Sequence, residues 1–323
     1  MKARAIGFLI RAALAVLVAS AALSAQFSST LSGPVLGYVL DRNAGTVRPI
    51  RGILGSATIG GPVDSAPTVS QLLTLDARNV VVSAHSGSEL IALHLDKELS
   101  STPLAGFPAN PFRSAASIRG GAAAFYYADA KQVRIVKGLP HDPSDAGMLQ
   151  LDRPLSQLAV SDDGSLLVYS TREEEGEAVY AWTSGSGNPR FLATAASVSG
   201  LVMTPNGDAI VTDRGANEVF AIWDAAGGAV RKLLADSTDG VSGPTGVGVS
   251  SSSRVYVANA GAVMVFDASG RFFKSLRCNC APSGVSLLRD SVFRLTDGVT
   301  QTIFLLDASS AQERILFVPP PLD

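Results

Sequence analysis

The chain has 323 residues, of which 46% are hydrophobic and 17% are charged, and this composition excludes an intrinsically disordered protein. The formal net charge is −2, and the leader predicted below carries basic but no acidic residues, so the mature chain is more acidic. This charge argues against nucleic acid or an anionic membrane as the main partner, because both require a basic face.

The first 25 residues have the pattern of a secretory signal peptide. Lys2 and Arg4 give a basic start, residues 12–23 form an apolar run, and small residues follow it. An uncleaved membrane anchor is the alternative, but Arg11 leaves fewer than the ~20 apolar residues that a membrane-spanning helix needs. We therefore predict an exported protein, periplasmic or extracellular, that makes no membrane contact once the leader is removed.

Cleavage is predicted after Ala25, with Leu23 and Ala25 at the −3 and −1 positions, and cleavage after Ala22 or Ser24 fits the same pattern. Residues 26–323 then form a single domain, for which we expect a monomer.

A repeated unit follows the leader. It consists of an apolar run, a short turn and a second apolar run, and it occurs seven times at intervals of 38 to 46 residues. The seven turns begin near Asp41, Ala84, Asp129, Ser170, Asp213, Asn259 and Asp297. This spacing is typical of four-stranded propeller blades.

Each pair of runs is flanked by two further strand-like segments. One precedes it, such as QLAVSDDGS from Gln157, and one follows it, such as RKLLAD from Arg231. The runs are rich in Val, Leu and Ile and often lack alternation, which indicates strands covered on both faces. The sequence therefore predicts an all-β protein, a β-propeller of seven blades with about 43 residues and four antiparallel strands each. Six blades is the alternative, because the first unit offers only FSSTL from Phe27 as its innermost strand.

Two segments resemble known propeller repeats. GPTGVGVSSSSRVYVANAGAVMVFDASGRFFKSL from Gly243 carries a Pro-x-Gly-Val start, a Val-Tyr-Val-Ala-Asn strand and a Val-x-Val-Phe-Asp strand, and the segment from Val198 is similar to this pattern. Both resemble the NHL and YVTN repeat families. The resemblance implies a propeller and little about activity, because this fold carries binding proteins, lactonases and lyases.

Polar residues recur at the ends of the second strands. They are Asp41, Asp129, Asp213, Asn259 and Asp297. A ring of carboxylates can bind a divalent cation, but Asp and Asn also start turns by accepting hydrogen bonds from their own backbone. Their recurrence in most units favours the structural interpretation.

Two further sets of polar residues also have a structural interpretation. The turn at residues 172–177 contains four glutamates, and we interpret it as a solvated hairpin tip rather than as a docking loop for a basic partner. His85, His94 and His141 lack metal-ligand spacing and are interpreted as ordinary histidines.

The chain has two cysteines, Cys278 and Cys280. Two thiols exclude a closed metal site built from cysteines alone. In an oxidising compartment they form a disulfide if the chain bends enough to bring their Cα atoms within ~6.8 Å. Two structural thiols, or a redox or metal-binding role, are the alternatives.

The loops that lead into the innermost strands decide the functional prediction. They start at Val69 (VSQ), Leu155 (LSQ), Val198 (VSG), Pro244 (PTG) and Pro282 (PSG). These residues form hydrogen bonds but do not titrate near neutral pH, so we predict a neutral channel mouth without catalytic, cofactor-binding or metal-binding residues. We therefore predict that the chain binds another protein, a peptide or a glycan. The alternative is a metal-dependent lactonase or lyase with its site at the channel mouth.

Overall fold

A computed structural model of the chain describes residues 33–321 except residues 65, 97, 268 and 311. The predicted signal peptide and the segment at Phe27 lie outside the described residues. Within the compact unit Val35–Asp323, seven antiparallel sheets form a seven-bladed β-propeller. The prediction of seven blades is confirmed, and the six-blade alternative is wrong.

The strands of the first four blades follow the repeat. They are β1 (Val35–Asp41), β2 (Thr46–Ile53) and β3 (Ser56–Ile59); β4 (Val69–Thr74), β5 (Asn79–Ala84), β6 (Glu89–Leu95) and β7 (Leu99–Pro108); β8 (Arg113–Ala116), β9 (Ala122–Tyr127), β10 (Gln132–Lys137) and β11 (Ser144–Gln150); and β12 (Leu155–Val160), β13 (Leu166–Arg172), β14 (Glu177–Thr183) and β15 (Arg190–Ala195). Within the described residues the first blade has three strands.

The last three blades have four strands each. They are β16 (Val198–Met203), β17 (Ala209–Asp213), β18 (Glu218–Trp223) and β19 (Val230–Ala235); β20 (Gly246–Val249), β21 (Val255–Asn259), β22 (Ala262–Phe266) and β23 (Phe272–Arg277); and β24 (Ser286–Arg289), β25 (Val292–Arg294), β26 (Ile303–Asp307) and β27 (Arg314–Val318). One 3-10 turn, Ser237–Asp239, precedes β20.

Burial explains why the apolar runs lack alternation. Every residue of β5, β17 and β21 is buried, because the second strand of a blade is covered on both faces by neighbouring blades. The fourth strands lie at the outer edge, and β23 is mostly exposed, including Phe272 and Phe273. The core therefore consists of apolar layers between successive blades rather than of one central cluster.

The innermost strands close the ring. Contacts run from β4 through β8, β12, β16 and β20 to β24, and β24 also contacts β4. The first blade takes part through β1, which contacts both β4 and β24. By its position in the repeat, β1 is the second strand of its blade, since it ends at the turn residue Asp41.

An ion-pair cluster joins the last two blades. The carboxylate of Glu313 is fully buried between Arg254 and Lys274, whose side chains are 34% and 31% exposed. Burial alone raises the pKa of Glu313, but the hydrogen bonds from Lys274 and Arg254 together outweigh it and lower that pKa. The cluster holds the outer part of blade six against blade seven.

Among the described residues, no helix is long and apolar enough to cross a membrane.

Candidate functional site

The channel mouth is the end of the propeller at which the innermost strands begin. The turns between second and third strands reach the same end, so a cavity of about 410 Å³ is lined by both kinds of segment. We call it the mouth cavity, and its lining residues are Leu40, Arg42, Ser70, Gln71, Leu72, Pro111, Phe112, Arg113, Ser114, Gln157, Leu158, Arg294, Asp297 and Gly298.

The loops that lead into the innermost strands hold the ring together. Gln71 Nε2 donates to the carbonyl of Pro111 at 2.8 Å, and Gln157 Nε2 donates to that of Ser199 at 3.3 Å. In both loops the strand register shifts at the serine that precedes the glutamine, and such a bulge redirects the following side chain. Gln71 and Gln157 thus line the mouth cavity while their amides bridge to the next blade.

Glycines make the mouth asymmetric. A Cβ atom on Gly200 would lie 2.8 Å from the Cα atom of Gly246, and one on Gly246 would lie 2.9 Å from that of Gly284. Blade five therefore approaches blade six at Gly200, and blade six approaches blade seven at Gly246, where only glycine fits. Blades two to four carry Gln71, Arg113 and Gln157 at the corresponding positions, and the mouth cavity opens on that side.

Three arginines make the mouth cationic. Arg42, Arg113 and Arg294 line the cavity together with a single carboxylate among its described lining residues, that of Asp297. The prediction of a neutral mouth is therefore wrong. Arg113 follows from the repeat, since it lies 42 residues after Gln71 and 44 before Gln157, but the segment PFRSAA lacks the apolar run by which the other innermost strands are recognised.

Arg294 lies deepest of the three arginines. It lines both the mouth cavity and a second cavity of about 350 Å³ further along the channel. Its Nη2 atom lies 2.9 Å from Asp297 Oδ1. Desolvation lowers the pKa of Arg294, the charge of Asp297 opposes this effect and the charge of Arg42 adds to it. The side chain still touches solvent because it projects into the channel.

One carboxylate and one further arginine likewise act on Arg113. Desolvation lowers its pKa, the nearby carboxylate of Glu177 raises it and the charge of Arg172 lowers it further. Both arginines remain protonated at neutral pH, because a guanidinium does not lose its proton in proteins.

The recurring turn residues have mainly structural contacts. Asp213 accepts four backbone N–H bonds, and Asp41 accepts two together with one from Arg48 Nε at 2.9 Å. Asn259 bonds the backbone of Ser242 and of Gly240. Within residues 33–321 and apart from the four gaps, no group of three His, Cys, Asp or Glu side chains is arranged to hold a metal ion.

The acidic turn is divided between buried and exposed residues. Glu177 is buried and accepts a hydrogen bond from Ser170 Oγ at 3.1 Å. Glu173 pairs with Arg153, while Glu174 and Glu175 are exposed at the tip. These contacts favour the structural interpretation of this turn.

The histidines lie away from the mouth cavity. His85 is exposed in a turn, and His94 and His141 line a small cavity of about 190 Å³. His94 Nδ1 lies 2.8 Å from Asn79 Oδ1, and Asn79 Nδ2 donates to Asp76 Oδ2 at 2.7 Å. The sequence pattern does not indicate that two of the histidines share a cavity.

Cys278 and Cys280 are bonded to each other in the structure, with their Cα atoms 5.0 Å apart. The bend that this distance requires follows β23. The disulfide itself stays a prediction.

Comparison with known proteins identifies the fold. No family model and no curated protein matches the chain. A protein from Desulfotomaculum acetoxidans described as functionally unknown is 13% identical, with a TM-score of 0.57 over 88% of this chain and 99% of that one. Virginiamycin B lyase from Staphylococcus aureus is 12% identical, with a TM-score of 0.52 over 86% of this chain and 92% of that one. A chain of a nidogen/laminin complex is 15% identical, with a TM-score of 0.51 over 72% and 95%. At these identities the likeness concerns the fold alone.

Proposed function

We propose that this protein is an exported, non-catalytic binding protein that holds its ligand at the channel mouth. The observation that carries the proposal is the mouth cavity, whose volume of about 410 Å³ lies within the range of small-molecule sites. We also propose that its repeats belong to the NHL and YVTN group, on the strength of the segment from Gly243. The expected state is a monomer without a cofactor.

The chemistry of the lining groups supports binding over catalysis. A guanidinium and an amide do not accept a proton near neutral pH, so neither serves as a general base. The lining carboxylate, that of Asp297, is already paired with Arg294 at 2.9 Å. These groups can orient a ligand through hydrogen bonds and charge.

A metal-dependent lactonase or lyase is the alternative, and virginiamycin B lyase shows that a lyase can have this fold. A divalent cation at this mouth would face three guanidinium groups and one carboxylate. The resulting repulsion disfavours a catalytic metal there. The nidogen/laminin complex shows that the same fold also occurs in a protein complex.

The test is a binding screen of the purified mature protein against oligosaccharides and peptides. Calorimetry measures binding, and mass spectrometry examines the recovered ligand. Ser114 is exposed in the mouth cavity, so Ser114→Trp should abolish binding by filling the space. Ser251, exposed in the turn between β20 and β21 at the other end of the channel, provides the control Ser251→Trp, which should bind normally. Conversion of the ligand that a chelator abolishes would establish the lyase alternative instead.

A further inference from the structure

The mouth cavity concentrates positive charge on a chain whose formal net charge is −2. Arg42 and Arg113 are exposed, and no carboxylate of the described residues lies within 4.0 Å of either guanidinium. Asp297 pairs with Arg294, and Glu177 acts on Arg113 at longer range, where Arg172 adds a further positive charge. Even with both counted, cations are in excess at the mouth.

One buried hydrogen-bond donor of the three arginines lacks an acceptor. The Nε atom of Arg294 is inaccessible to solvent and forms no hydrogen bond with the described residues, although Nη2 of the same group is paired. Buried donors of this kind are nearly always satisfied by protein, water or ligand. A ligand oxygen reaches this donor only if the guanidinium turns toward the mouth cavity, which the same side chain lines.

The third component is an apolar face. Phe112 is 64% exposed at the rim of the mouth cavity. Tyr126 supports it from behind in an edge-to-face contact with ring centroids 6.2 Å apart. The ring is therefore held in place and offers an apolar surface next to Arg113.

We propose that the mouth cavity binds a small organic anion, with its carboxylate between Arg42, Arg113 and Arg294 and its ring against Phe112. This inference rests on the proposed function and names its ligand class. A planar guanidinium matches the geometry of a carboxylate, and the cavity is larger than an inorganic anion requires. A neutral ligand would leave the three charges unpaired.

The test uses pairs of probes that differ in charge but hardly in shape. Benzoate is compared with benzamide, and glucuronate with glucuronamide, by calorimetry on the mature protein; inorganic phosphate tests the anionic group alone. We expect at least one carboxylate to bind about tenfold more tightly than its amide. Added salt should weaken the binding of that carboxylate. Equal affinity within both pairs, no binding of either carboxylate, or phosphate binding as tightly as the carboxylates would each overturn the inference.

Variants locate the site. Arg42→Gln and Arg113→Gln should each weaken binding of the carboxylate about tenfold. Arg214 provides the matched control, because it follows Asp213 as Arg42 follows Asp41, is exposed, and lies outside the mouth cavity. Arg214→Gln should leave affinity unchanged, and a loss equal to that of Arg42→Gln would refute the site.

Arg294 requires a charge-conserving variant, since a neutral side chain would also remove the ion pair with Asp297. Arg294→Lys keeps the charge but lacks the fork-shaped group, so it should fold and bind more weakly; unchanged affinity would exclude a role for the buried Nε atom. If a neutral sugar or peptide binds the mouth and is lost in Ser114→Trp while both carboxylates fail, the anion inference is wrong and the binding function stands.

Discussion

The turn residue Asp213 offers a direct test of the structural interpretation of the repeat. Its carboxylate accepts backbone N–H bonds from Ala196 at 2.6 Å, Ser197 at 2.8 Å, Gly215 at 2.9 Å and Ala216 at 3.1 Å. The side chain itself is buried. It therefore ties the loop before β16 to the turn after β17, and Asp213→Ala removes all four contacts at once.

The expected loss follows from these contacts. A hydrogen bond to a charged group contributes about 1.5–3 kcal/mol, but all four donors belong to exposed residues that water can solvate again. We therefore expect a loss of about 3 kcal/mol in the free energy of unfolding. With an unfolding entropy of about 2.1 cal/mol/K per residue over roughly 290 residues, the melting temperature should fall by about 5 °C.

Asp129 supplies the control for this measurement. It occupies the corresponding turn of blade three but is exposed, and its carboxylate has no hydrogen bond with the described residues. Scanning calorimetry on the mature protein should show Asp129→Ala within about 1 °C of the parent. Equal melting temperatures for Asp213→Ala and the parent, or equal losses for the two variants, would contradict the reasoning. A drop in calcium affinity for both variants would instead support the cation ring.

Three further predictions concern other parts of the chain. Glu313→Gln should lower the free energy of unfolding at pH 7 by about 2 kcal/mol, because it leaves two partly buried cations unpaired. The pKa of Glu313 is lowered in the fold, so urea unfolding should show the difference between variant and parent shrinking as the pH falls through that pKa. A difference that stays constant with pH would contradict this role of the carboxylate. Mass spectrometry of the protein recovered from cells should find its first residue between Leu23 and Gln26, whereas an intact Met1 in the membrane fraction would disprove cleavage. A thiol reagent should label neither cysteine of the unfolded, unreduced protein and both after reduction; labelling before reduction would show two thiols.

The repeat made most of the fold predictable. A turn marker recurring at 38 to 46 residues requires one supersecondary unit per period, and apolar runs without alternation require cover on both faces. The turns at Asp41, Asp213 and Asn259 were likewise predictable, because a short polar side chain satisfies backbone donors within a few residues of itself. These are local properties, and the linear sequence contains them.

The chemistry of the mouth was determined only by ring closure. The sequence predicts Gln71 and Gln157 near the mouth. The positive charge of the mouth depends also on Arg42 of the first blade and Arg294 of the seventh. These two arginines lie near each other because β1 contacts both β4 and β24. No period of the sequence predicts which side chains from opposite ends of the chain share a cavity. The sequence by itself determined the blades and their turns, because these depend on neighbours along the chain. The tertiary structure decided the charge of the mouth and which side of it opens, because both depend on how seven similar units meet around one axis.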